Sequence, residues 1–210
     1  MQISFVEMSF FVFTISFLAM VSPGPDFFLV LKNSLRYNRG AALMSGAGVV
    51  VGVLTHMIYC VAGVAILIKS TPWLFTLLRY AGAAYLVWIG CKALMTKYSS
   101  SVDYSVNKTA TNISLKTAFL QGYFCNLLNP KATLFFLSVF TQVLNADSSL
   151  FDKFWIASII VIEAVCWWPC VVFLFQTPWV QRRFFKIQWF VDKLLGIILI
   201  LLGIKVAIGF

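Results

Sequence analysis

The stretch "MVSPGPDFF", residues 20–28, interrupts an apolar run that enters from Ile3 and leaves toward Leu31. It holds two prolines, a glycine and the carboxylate of Asp26. Proline removes a backbone donor, clashes with the turn before it and drives the preceding residue out of the α region. Ser22 and Gly24 each precede a proline, so the backbone must leave helical geometry near 22–25. Pro25 then suits the first turn of a new helix, with Gly24 or Ser22 as its cap.

The surroundings decide whether such a break lies in lipid or in water. Of the 210 residues, 61% are hydrophobic and 11% charged, and the mean hydropathy is +0.91. A soluble domain of this length needs a far more polar surface. A spanning helix needs about 20 mainly apolar residues. Such stretches are read at 4–32 and 115–142, both interrupted, and at 41–68, 72–95, 153–176 and 190–209. The expected fold class is an all-α integral membrane protein of about six transmembrane helices. The first segment lacks a basic n-region and a small-residue cleavage site, so it is expected to be a membrane helix and not a signal peptide. In hydrocarbon, backbone groups freed by a break survive only where protein or a water-filled cavity covers them.

The net charge is +9, but the basic residues gather in connections. Lys32, Arg36 and Arg39 flank the first, Lys92, Lys97, Lys108 and Lys116 the third, and Arg182, Arg183, Lys186 and Lys193 the fifth. The second offers Lys69, and the fourth Lys153 beside Asp147 and Asp152. This asymmetry sets topology and implies no nucleic-acid partner. It places the odd connections in the cytoplasm and both termini in the periplasm. Trp73, Trp155, Trp179 and Trp189 fall near span ends, as interfacial anchors do. The five cysteines show no metal spacing and are read as small buried hydrophobes.

The two halves resemble each other. "GPDFFLVL" from Gly24 and "NPKATLFF" from Asn129 each carry a helix-breaking dipeptide, a charge and an apolar run. Pro25 matches Pro130, and Asp26 matches Lys131. "GAAYLVWIGCKAL" (82–94) resembles "GIILILLGIKVAI" (196–208). An odd number of spans per half means that the second half enters from the opposite side, the inverted-repeat pattern of secondary transporters. The chain is thus expected to be one membrane domain: repeat 1 over about 1–98, a polar linker over 99–114, and repeat 2 over about 115–210, with the first helix of each half broken.

Asn129 followed by Pro130 is a good cap with proline at the first helical position. Each break therefore makes a helix N-terminus, which attracts carboxylates. Lys131 adds a full positive charge and Asp26 a negative one. If the breaks converge, the site suits a zwitterion with an ammonium and a carboxylate. The alternative is that Asp26 and Lys131 pair and hold the halves together. The candidate substrate-binding residues are Asp26, Lys131, Pro25, Gly24, Asn129, Pro130 and Asn126, with Gln121 and Tyr123 as weaker candidates. Ionisable residues inside membrane segments are functional suspects. His56 in "GVLTHMIYC" and Glu163 in "IIVIEAVCWW" follow their breaks at nearly the same distance. With Asp26, they are the candidate proton-coupling groups. Arg79 and Glu7 are expected near interfaces. "GAGVVVG" (46–52) offers small residues for close helix packing, and it lacks the lysine of a phosphate loop.

"SPGPDFF" (22–28), "NLLNPKA" (126–132) and "YLVWIGCKAL" (85–94) together resemble the LysE/RhtB family of amino-acid exporters, over essentially the whole chain. "SVF" after the second break and Glu163 in "VIEAVCWW" make the threonine efflux group within it the most similar. The resemblance implies an inner-membrane exporter driven by the proton gradient, with Pro23, Gly24, Pro25, Asn129, Pro130 and Lys131 in its functional core. Where the family commonly has a positive or polar residue before the second motif, this chain has Gln121. The expected partners are an amino-acid substrate of the threonine or homoserine kind, protons and the lipid bilayer; a homo-oligomer is admitted, and no cofactor is implied. Export of basic or other amino acids, or of a divalent metal ion, is the alternative. Metal transport wants several acidic or thiol groups within the spans. An enzyme is not expected: His56 is the only histidine, and no HExxH motif occurs.

Overall fold

The computed structural model describes residues 5–22, 24–70, 72–95, 113–144 and 148–208. Pro23, residues 96–112 with most of the linker, Asp147, and the side chains of Lys69, Arg79, Arg182, Lys186 and Trp189 lie outside the described residues. The described residues form eight helices and no strand: α1 Phe5–Val21, α2 Pro25–Arg36, α3 Arg39–Ser70, α4 Pro72–Met95, α5 Leu115–Leu127, α6 Pro130–Val143, α7 Leu150–Phe175 and α8 Pro178–Ile208. Both expected breaks are present. The α1–α2 pair bends by 54°. Gly24, and not Ser22, caps α2, with extended backbone and Pro25 in the first turn. Asn129 caps α6 by accepting the Lys131 amide at 3.0 Å.

Arg39–Gly63 and Leu150–Phe175 are long and apolar enough to cross a membrane, and the bent α1–α2 pair passes the same test when its two helices are taken together, as a broken span or a re-entrant loop. With outward-facing Phe10, Phe13, Ile58, Ile162 and Val165 exposed, this is a membrane protein. Trp73, Trp155 and Trp179 are exposed as well, as residues of an interfacial belt are.

Two expectations need correction. The last helix begins at Pro178 and not at 190. Its basic stretch is helical, because Arg and Lys are good helix formers and Pro178 supplies a natural start. The cysteines are not all buried: Cys60 is, Cys125 is half-buried, and Cys91, Cys166 and Cys170 are exposed. In so apolar a chain, outward positions are apolar too, so a thiol is not driven inside.

Contacts fix the helix directions. Phe5 meets Phe151, Ser9 meets Trp155 and Phe17 meets Trp167, so α1 and α7 run parallel. The same holds for α3 and α5, where Ser45 faces Gly122 and Gly52 faces Asn126. Helices α4 and α8 run antiparallel, Gly90 against Gly196 and Ala83 against Gly203. Buried side chains of α1, α2, α3, α6 and α7, among them Ile15, Phe27, Val53, Phe136 and Ile160, form the core around the breaks.

The glycine-rich seam between α3 and α5 is backbone on backbone. A methyl group at Gly48 would run into the Phe119 carbonyl and reach the Tyr123 nitrogen at 2.7 Å; one at Gly122 would run into the Ser45 carbonyl. Gly63, by contrast, has nothing within 4 Å. Gly48→Ala is therefore expected to destabilise by about 1–3 kcal/mol or more, because backbone cannot yield as a side chain does. Gly63→Ala should be neutral or stabilising by up to about 1 kcal/mol. Thermal unfolding of the two detergent-solubilised variants checks the contrast, and equal melting points would refute it.

Candidate functional site

The two breaks meet at one place and exchange their polar groups. Asn126, at the end of α5, and Asn129, the cap of α6, each donate a side-chain N–H to Asp26 Oδ2 at 2.9 Å. Lys131 reaches the other way. Its ammonium donates to the Ser22 carbonyl at 2.9 Å. Its side chain lies over Gly24, where a Cβ would meet Cδ and Nζ at 3.2 Å. Thus the carboxylate of the first break is held by amides of the second, and the lysine of the second is held by backbone of the first.

Local chemistry explains each half of this exchange. α1 has no basic residue in its last turn, and a cation there offsets the negative end of the helix dipole. Lys131 supplies that cation from across the interface. The Asp26 carboxylate lies in the first turn of α2, where the dipole favours it. Its Oδ1 is buried and has no hydrogen-bond partner.

A small pocket of about 50 Å³ lies at Asp26, walled by Ser16, Ser22, Gly24, Asn126, Asn129 and Lys131 together with apolar residues including Phe136 and Trp168. That is room for about four waters. Ser22, Gly24, Asn129 and Lys131 also line a neighbouring cavity of about 460 Å³, as do Pro25 and Pro130.

Glu163 and His56 stand behind this site. Glu163 is buried on α7, and its Oε2 accepts from the Ser16 hydroxyl. The same hydroxyl lies 2.6 Å from the Val12 carbonyl. One hydroxyl hydrogen serves one of these acceptors at a time. Glu163 Oε1 is buried and without a hydrogen-bond partner. His56 is fully buried. Its Nε2 meets the Asn126 carbonyl at 3.1 Å, and its ring lies between those of Tyr59 and Phe136. His56 thus adjoins the residue that holds Asp26, without lining the pocket.

All seven candidate binding residues therefore lie at the junction. Gln121 and Tyr123 do not. Gln121 accepts from the Asn33 amide at 3.2 Å, and Tyr123 stacks on Phe119. Glu7 is exposed in the first turn of α1. Sequence reasoning missed Ser16, Trp168 and the lining of the larger cavity. Ser16 is the small polar residue of "TISF" (14–17), a faint signal beside the prolines.

The LysE type translocator family model matches residues 16–209. The chain is 32% identical to the uncharacterized membrane protein YrhP of Bacillus subtilis (strain 168), covering 93% of this chain and 96% of that one. It is 29% identical to the threonine efflux protein of Escherichia coli (strain K12), covering 91% and 93%. It is 33% identical to the leucine efflux protein of Klebsiella pneumoniae (strain ATCC 700721 / MGH 78578), covering 85% and 84%. No solved structure matches. Two interlocked helix breaks, built by the "SPGPD" and "LNPKA" stretches, lie within the matched region, and the chain belongs to the LysE type translocator family.

Proposed function

We propose that the protein is a secondary-active exporter of a neutral amino acid, driven by the proton gradient across a bacterial inner membrane. One observation carries this reading: a carboxylate and a lysine from two helix breaks line the same pocket. The ammonium of an amino acid suits Asp26 Oδ1, which lacks a partner in the resting site. Its carboxylate suits Lys131, by exchange for the Ser22 carbonyl. Gly24 and Pro25 on one side, and Asn126, Asn129 and Pro130 on the other, shape the backbone around it. Relatives named for threonine and leucine efflux support a neutral cargo. A basic amino acid or a divalent ion would meet Lys131 and two amide donors at the same wall, which disfavours a second cation.

In this reading the chain is one membrane domain of six spans in two inverted repeats, about 1–98 and 115–210, joined by the linker 99–114. The reciprocity of contacts supports it. The second span of each half packs parallel to the broken span of the other, α3 with α5 and α7 with α1, while the third spans, α4 and α8, meet antiparallel. Both termini are periplasmic by the distribution of positive charge.

Glu163 is the foremost proton carrier in this reading, with His56 and Asp26 as the other titratable groups. A proton on Glu163 lets it donate to Ser16 while Ser16 donates to Val12. Loss of that proton turns the hydroxyl toward the carboxylate.

Lys131→Ala should lower export by on the order of a hundredfold or more while the protein still inserts, and Lys131→Gln, which keeps a donor for Ser22, should be nearly as poor. Efflux from preloaded proteoliposomes reads this, and normal export by either variant removes Lys131 from the substrate site. Glu163→Gln keeps the contact with Ser16 but cannot ionise. It should retain downhill exchange and lose acceleration by an imposed pH gradient. A gradient response equal to that of the wild type would take the coupling role away from Glu163.

A further inference from the structure

The pocket at Asp26 and the cavity beside it differ in size by enough to separate their roles. About 50 Å³ admits a few waters or the ammonium end of a ligand. The neighbouring 460 Å³ falls in the range of about 300–1,000 Å³ typical of small-molecule sites. The two share Ser22, Gly24, Asn129 and Lys131, so the bonded pair Lys131 and Ser22 borders both.

The larger cavity has a definite chemical character. Phe28, Trp88, Ile89 and Leu134 give it an apolar wall that is open to the outside, since Phe28, Trp88 and Leu134 are exposed, and Tyr85 and Lys92 are its polar members besides the residues shared with the smaller pocket. The Tyr85 hydroxyl is directed to the Pro130 carbonyl at 3.3 Å. The Lys92 ammonium sits over the Trp88 ring, 4.0 Å from its centroid. A cation is thus present at each of two walls, Lys131 and Lys92, with aromatic and aliphatic surface between. Lys92 lies in the last turn of α4, at the end that the charge asymmetry places toward the cytoplasm.

We propose that this cavity is a loading and selectivity chamber for amino acids with uncharged aliphatic side chains. The inference rests on the export reading above and adds residues that it does not use: Tyr85, Trp88 and Lys92. The side chain lies on Phe28, Trp88, Ile89 and Leu134, where apolar area is removed from water. The carboxylate is drawn by the two lysines and displaces the Ser22 carbonyl from Lys131, which opens the way for the ammonium to reach Asp26. A lysine or arginine side chain would bring a third cation between Lys92 and Lys131, and like charge at close range is costly. A threonine side chain fits but buries less apolar area than leucine, so leucine-type cargo ranks first.

The test uses the full chain in proteoliposomes loaded with labelled leucine, threonine or lysine, each at equal concentration. The wild type should move leucine fastest, then threonine, with lysine last. Lys92→Glu should change the leucine-to-lysine ratio by on the order of tenfold in favour of lysine. Trp88→Ala should lower the leucine-to-threonine ratio by about tenfold. Both positions are exposed, and a monodisperse elution profile with an unchanged melting point certifies that each variant is folded. Ratios that stay at the wild-type values in both folded variants, in a protein that moves amino acids, overturn the chamber and leave the export reading standing. A wild type that moves no amino acid overturns the export reading and the chamber with it.

Discussion

Everything at the centre of this molecule depends on an exchange of polar groups between two broken helices. Breaking a helix in an apolar setting strands carbonyls and N–H groups that lipid cannot satisfy. Here one break answers the other. Lys131 covers the Ser22 carbonyl at the end of α1, and Asn126 and Asn129 cover one oxygen of Asp26 at the start of α2. Neither break is complete alone. This mutual dependence holds irregular backbone in the interior and keeps a carboxylate and an ammonium close together, with one carboxylate oxygen left over.

The parts of this arrangement written in local chemistry were legible in the sequence. Pro25 and Pro130 dictate helix starts, and Asn129 is the residue type that caps one. The glycines of "GAGVVVG" announce a close helix neighbour, and α5 fills that place. Three features were not legible. Lys131 and Ser22 are 109 residues apart, and Ser16 and Glu163 are 147 apart; no period or spacing links them. The start of α8 at Pro178 was hidden because a run of basic residues looks like a connection by the rule that sets topology. Helix propensity allows the same run to be helical. The exposed cysteines misled for a related reason: in an apolar chain, hydrophobicity no longer distinguishes inside from outside.

The candidate site residues divide by distance from the junction. Gly24, Asp26, Asn126, Asn129 and Lys131 touch the pocket itself. Glu163 stands one hydrogen bond away through Ser16, and His56 one contact away through Asn126. His56 on α3 and Glu163 on α7 therefore address opposite arms of the junction. His56 meets the end of α5, and Glu163 meets α1.

The seams of bare backbone have a mechanical meaning. Where the peptide groups of α3 and α5 touch at Gly48 and Gly122, no side chain exists to change rotamer and let one helix slide past the other. The α3–α5 pair therefore has little room to slide at this crossing. The antiparallel crossing of α4 with α8 at Gly90 and Gly196 is also close, but there the side chains of Ile200 and Leu94 share the contact with backbone. The junction of the breaks is instead held by side chains, among them Lys131 on the Ser22 carbonyl, and side chains can change rotamer where backbone cannot.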